Sequence, residues 1–198
     1  MEFREFLNLL SRKKGVLVLF VMIFLAAAMV FVLVTPLKYE ATTRVLVKQD
    51  LAEDTNSYTV MESNNSVSRL LARVIDSSAF FKKVIDSDHN IKTQYFSPTG
   101  DSREMAQKWK ETVQAHALGE GGGIMDISVY HTEKVQARQV IEGVNNTLKT
   151  EHSRYHDLGD RVNIKVIDYP IVSAFPAKPN IFYIFSLALI LGAVTGMS

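Results

Sequence analysis

The run VLVLFVMIFLAAAMVFVLV, Val16 to Val34, holds no charged residue. As a helix at about 1.5 Å per residue it covers roughly 28 Å, close to the ~30 Å hydrocarbon core of a bilayer. Pro36 closes it. A cleaved signal peptide is the competing reading, with Ala26-Ala27-Ala28 imitating a cleavage site. Signal h-regions reach only about 7–15 residues. This run continues through Met29 to Val34, so an uncleaved anchor is expected.

Charge around the run sets its direction. Arg4, Arg12, Lys13 and Lys14 precede it, and only Lys38 and Arg44 follow closely. Positive flanks stay inside, which predicts a cytoplasmic N-terminal segment over residues 1–15 and a first transmembrane helix over 16–35. Glu2 to Leu10 reads as a short amphipathic helix on the inner face. A second oily run, Ile181 to Met197, is the expected second span over 181–197, at the short end for a crossing. Phe182 and Tyr183 sit where an interfacial aromatic belt would lie. The competing reading is a buried core helix.

Residues 36–180 then form one extracytoplasmic domain. Tyr39 to Lys48 alternates, with Ala41, Thr43, Val45 and Val47 on one side, and reads as a strand. Residues 49–64 read as a loop. Val67, Leu70, Leu71, Val74 and Ile75 make a helical stripe that Asn65 or Ser66 caps. Ser77 or Ser78 caps a short helix carrying Phe80, Phe81, Val84 and Ile85. Asp101 or Ser102 starts a third helix with the stripe Met105, Trp109, Val113 and Ala117, and Glu104 completes its cap. After the flexible turn Gly119–Gly123 comes a strand, Ile124 to Tyr130. Thr132 caps a long helix over 133–156, and Val162 to Ile167 is the last strand.

The expected fold is therefore α/β (α+β): a small mixed sheet with packed helices, flanked by two transmembrane helices. The last strand-helix-strand should be a right-handed crossover with parallel strands. The first and last strands should lie antiparallel and close together, because one leaves the membrane and the other returns to it. Pro170, Pro176 and Pro179 cannot sit in a regular helix interior and mark a proline-rich, extended membrane-entry segment.

Catalytic patterns are not found in this sequence. It has no cysteine, so disulfides, thiol catalysis and cysteine-ligated metals are excluded. The formal net charge of +1 gives no argument for nucleic acid. The glycine run lacks the Lys-Ser/Thr of a phosphate loop. His152 and His156 have a helical zinc spacing but no His-Glu-x-x-His motif, and read as solvated. The carboxylates Asp50, Glu53, Asp54, Asp86, Asp88, Glu111, Asp126, Asp157 and Asp160 are scattered, and Asp126 reads as solvated. No serine lies in a Gly-x-Ser-x-Gly elbow. Arg69, Arg73, Lys82 and Lys83 form a basic group that can meet an anionic glycan or a lipid head group; a solvated helix face is the plainer reading. Asn64-Asn65-Ser66 and Asn145-Asn146-Thr147 match the glycosylation pattern, and no role is assigned to them.

The arrangement resembles the Wzz-type chain-length determinants, or polysaccharide co-polymerases, over essentially the whole chain. Pro36-Leu37-Lys38-Tyr39-Glu40-Ala41, followed by Arg44-Val45-Leu46-Val47, is similar to the family's opening signature. Ile127-Ser128-Val129-Tyr130-His131, then Ala137 and the segment Ile141 to Asn145, resembles its central strand and helix. Ala174-Phe175-Pro176-Ala177-Lys178-Pro179-Asn180 resembles its entry to the second span. The long coiled-coil insertion of larger members is missing, which places the likeness nearest the short capsule and exopolysaccharide regulators of the CapA and CpsC type.

The resemblance implies a non-catalytic, cofactor-free regulator of capsule, exopolysaccharide or O-antigen (lipopolysaccharide) chain length in a bacterial inner membrane. It implies a homo-oligomeric ring partnered with a membrane polysaccharide polymerase and the growing polysaccharide, with subunit contacts expected on the helix 133–156 and the first outer helices. Short members also engage a tyrosine autokinase through a cytoplasmic tail. Ser198 follows Met197 directly, so that partner is implied only through the N-terminal residues or through chain beyond Ser198. The alternative is a two-span sensor or ligand-binding protein without its cytoplasmic output domain. A membrane-anchored glycan enzyme is a third class.

Overall fold

A computed structural model describes residues 14–50, 56–87, 89–119 and 122–197. The expected helix Glu2–Leu10 lies outside the described residues. The chain divides into two compact units, one of Met1–Leu37 with Ala177–Ser198, the other of Lys38–Pro176.

The first unit holds two apolar helices, α1 (Lys14–Val34) and the chain's last helix, Ile181–Met197. Among the described residues, α1 is long and apolar enough to cross a membrane, while the last helix, at 17 residues, is apolar but shorter. The two pack antiparallel through a seam of small residues, Ala188, Gly192 and Gly196, all buried. A Cβ at Gly192 would lie 2.7 Å from Val21 Cα, and one at Gly196 would lie 2.7 Å from Leu17 Cα. Small residues four apart let helix backbones approach closely where water supplies no driving force.

The second unit is α+β. Its elements are β1 (Tyr39–Gln49), α2 (Ser57–Ile75), α3 (Ser78–Ile85), α4 (Ser102–Thr112), β2 (Val113–Ala117), β3 (Ile124–His131), α5 (Lys134–Glu151) and β4 (Val162–Val172), completed by short 3-10 turns. The last helix of the chain is α6 (Ile181–Met197). Four strands form one sheet in the order β2-β3-β1-β4, and every neighbouring pair is antiparallel. The sheet is therefore not mixed. β3 and β4 do run parallel, as a helical crossover demands, but β1 lies between them and hydrogen-bonds to both. The expected antiparallel pairing of the first and last strands is present, with Val45 opposite Val166 and Val47 opposite Ile164.

Alternation decides which face is buried. Ala41, Thr43, Val45 and Val47 of β1 and Met125, Ile127, Val129 and His131 of β3 face a core closed by α2 and α5. An aromatic cluster fills the end under α3 and α4: the Phe81 ring centroid is 5.0 Å from both Phe96 and Trp109. Trp109 Nε1 donates to the Ile75 carbonyl at 2.6 Å, so the indole is satisfied although fully buried. Thr43 Oγ1 donates to the Asp168 carbonyl and accepts from Asn145 Nδ2, linking β1, β4 and α5 inside the core.

Several sequence expectations are corrected. The third helix ends at Thr112, and Val113 to Ala117 forms β2. The 3–4 stripe Met105, Trp109, Val113, Ala117 coincides there with the alternation of residues 113, 115 and 117, and pairing with β3 wins. α2 begins at Ser57, with Asn56 accepting from the Tyr58 amide, not at Asn65. Its buried stripe continues toward the N-terminus through polar Asn64 and Asn65, which an apolar pattern cannot register. α5 ends at Glu151 and passes into a 3-10 turn, His152–Tyr155. Thr132 does not cap it; Glu133 occupies the cap position. β4 runs on to Val172. Ser77 and Asp101 cap α3 and α4 as expected. Glu104 accepts from Ser97 and Thr99 hydroxyls and does not close a box with Asp101.

The turn between β2 and β3 is locked from α2. Asn65 Nδ2 donates to the Gly119 carbonyl, and its Oδ1 accepts from the Gly123 amide at 2.9 Å. Asn64 Oδ1 accepts from the Gln49 amide at 2.7 Å. Asn64 and Asn145, the acceptors of the two glycosylation matches, are both buried.

Candidate functional site

With one face of the sheet closed by helices, the outward residues of the strands make the other face. β1 contributes Glu40, Thr42 and Arg44, β3 contributes Asp126, Ser128 and Tyr130, and β4 contributes Asp168 and Ile171. Register brings them into rows: Arg44 stands opposite Asp126 on one side and Asp168 on the other, and Glu40 stands opposite Tyr130. His116 of β2 stands opposite Asp126.

Arg44 grips Asp126 with two bonds, Nε to Oδ1 at 2.6 Å and Nη2 to Oδ2 at 3.1 Å. This fork-on-fork contact is the strong form of a guanidinium–carboxylate pair. Asp168 lies 3.9 Å from the same guanidinium. Asp126, expected to be merely solvated, is thus paired, and its bond holds the Arg44 pKa above the ordinary value. These residues, with Thr42, Ser128 and Ile171, line a shallow cavity of about 250 Å³. Burial and the Tyr130 hydroxyl's bond to Glu40, 2.8 Å long, push the phenol up to about 12, so it stays a donor.

The basic residues lie on α2 and α3. Arg69 pairs with Glu62 at 2.6 Å and Lys83 with Glu151 at 3.8 Å, while Arg73 is exposed in the last turn of α2. Lys82 lines a larger cavity of about 510 Å³ between α3 and α4, whose wall is Phe81, Ile85 and Met105 and whose hydroxyls come from Ser78, Thr93 and Ser102. An apolar wall with a few hydroxyls and one cation has the composition of a small-ligand cleft.

Pro170 lies within β4, on the outer edge of the sheet, where a missing N–H costs no ladder bond. Pro176 and Pro179 follow in the segment between β4 and α6. His152 and His156 are not helix-face residues. Nδ1 of His152 lies 3.1 Å from Nε2 of His156, whose Nδ1 accepts from the Leu158 amide, so both nitrogens of His156 are engaged. Among the described residues no three metal-ligating side chains gather.

One buried titratable group went unnoticed in the sequence. His131 closes the inward series Met125, Ile127, Val129 and is 1% exposed. Its Nδ1 accepts from the Glu133 amide at 2.9 Å, its ring lies 3.8 Å from that of Tyr95, and its Nε2 is buried without a partner. Burial lowers its pKa from the usual 6.5 to about 4. Strand alternation was the signal that marked it as inward.

Residues 1–87 match the family described as Wzz, chain length determinant protein. The matched stretch includes α1, β1, α2 and α3. No curated protein matches the chain.

Proposed function

We propose that the chain regulates the length of a bacterial surface polysaccharide as an oligomeric, non-catalytic partner of a membrane polymerase. The match of residues 1–87 to the chain length determinant family carries this reading. The remainder of the chain supports it: β4 pairs along β1 and leads through a proline-containing segment into the apolar helix α6. The small-residue seam between α1 and α6 suits two helices packed in lipid. On this reading both cross the inner membrane, the N-terminus is cytoplasmic, and Lys38–Pro176 stands outside.

The short capsule and exopolysaccharide regulators are the nearest type in size. Several copies assemble around or beside the polymerase, and the geometry of the assembly limits how far the polymer grows. The cavity beside Lys82 and the basic residues Arg69, Arg73 and Lys83 are the candidate glycan contacts. α5 and the first outer helices are the candidate contacts between copies.

The test is to delete the gene, restore it with this chain, and resolve the surface polysaccharide on a gel. Restoration should return a defined modal length, and an unchanged distribution would overturn the reading. Asp126→Asn and Lys82→Ala should shift that length and leave polymer present. Complete loss of polymer in either would favour an enzyme.

A further inference from the structure

Large apolar side chains crowd one corner of the outer domain. Tyr169, inside the register break between Arg44 and Thr42, and Ile171, just past it, are 84% and 68% exposed, and Phe175 just after β4 is 81% exposed. This corner is built, not frayed. Ser173 donates its amide to the Glu40 carbonyl at 2.8 Å, and Glu40 returns its own amide to Ser173 Oγ at 3.0 Å. Lys134 Nζ donates to the Ala174 carbonyl at 2.8 Å and lies 4.7 Å above the Tyr39 ring. Ordered backbone thus holds three greasy side chains in the open.

Two occupants fit exposed apolar groups: another protein or lipid. Strand addition by a protein is obstructed here. β4 is an edge strand, but Pro170 lacks an amide donor and two register breaks bend the strand around Arg44. Both features blunt an edge against pairing. Lipid is favoured by the length of chain available. Four residues separate Val34, the end of α1, from Tyr39. Five steps of extended chain span at most about 18 Å. Phe175 is six residues from Ile181, the start of α6. That tether is at most about 21 Å. The strand ends tied together by Ser173 and Glu40 are therefore leashed to both apolar helices by short tethers. Interfacial tyrosine and lysine are the residues that lipid head groups accept.

We propose that Tyr169, Ile171 and Phe175 form a rim that dips into the headgroup layer of an anionic phospholipid bilayer, with Lys134 beside its phosphates. This rests on the reading that α1 and α6 cross that bilayer.

The experiment uses the full chain in sealed proteoliposomes of phosphatidylethanolamine and phosphatidylglycerol. Trp109 is the single native tryptophan and is fully buried, so it gives a constant background. Phe175→Trp is compared with Lys48→Trp, an exposed position nine residues along β1 from Tyr39. That separation is roughly 30 Å. Lipids brominated near the glycerol end of the acyl chain should quench the added emission at 175 and leave that at 48 unchanged. Quenching at 175 by acrylamide in water but not by bromolipid would overturn the rim. So would shielding from both, which would mean that a protein covers the corner, and so would equal bromolipid quenching at both positions. Carbonate extraction separates the two readings. A chain that washes out overturns the crossing and the rim together, whereas a chain that stays while its 175 emission is unquenched overturns the rim alone.

Discussion

Gly123 lies so near Val47 that a Cβ on it would stand 2.2 Å from the Val47 carbonyl oxygen. Its φ of +101° is also a conformation that L side chains rarely adopt. Gly123→Ala must therefore move β1 or the turn that Asn65 holds. A loss on the order of 3 kcal/mol or more is expected, read as a lowered urea midpoint. Gly119→Ala, with open space around it, should leave the midpoint nearly unchanged.

His131 makes stability depend on acid. The folded protein keeps the ring neutral down to about 4, whereas the unfolded chain protonates near 6.5. Between those values the unfolded state binds more protons, so stability is full above pH 6.5 and falls as pH drops toward 4. The loss is at most roughly 3 kcal/mol. Denaturant midpoints recorded across that window should show the slope, and His131→Phe should flatten it.

Trp109→Phe keeps the aromatic cluster but strands the Ile75 carbonyl in the core. An unsatisfied buried acceptor costs about 1–3 kcal/mol. Thermal unfolding followed by circular dichroism should fall accordingly, and a transition unmoved by the change would contradict the bond.

The seam between α1 and α6 leaves no room for bulk at Gly192, where a Cβ already crowds the Val21 backbone. Gly192→Leu should lower the thermal midpoint in detergent by an amount corresponding to about 1–3 kcal/mol, and Ala193→Leu should do so less.

Arg44→Ala should barely move stability, because both partners of its ion pair with Asp126 are part exposed. A large drop in the denaturation midpoint would show that the pair organises the open face.

Strand alternation was legible wherever apolar residues carried it, as in Val45, Val47, Met125, Ile127 and Val129. Capping was legible at Ser77 and Asp101, where a short polar side chain precedes an apolar run. The start of α2 was not, because its inward positions there are Asn64 and Asn65, chosen for hydrogen bonds to Gln49, Gly119 and Gly123 that only the folded chain reveals. β2 was hidden because Val113 and Ala117 satisfy both the helical and the strand period. The Arg44–Asp126 pair joins residues 82 positions apart, so it depends on the β1–β3 register, which no local pattern encodes.

The sheet order β2-β3-β1-β4 also sets a timetable. β1 is the first strand to leave the ribosome, yet it needs a partner on each side. One is complete only at His131 and the other only at Val172. Throughout that interval a strand with one apolar face, Ala41, Val45 and Val47, keeps unpaired edges, the state most prone to wrong pairing. By the time Val172 has been made, only the tail containing α6 remains to be synthesised among the described residues. Closing the sheet and delivering the last helix are thus nearly simultaneous events, and a stalled or truncated chain ending before Val162 would leave β1 open and in need of a chaperone.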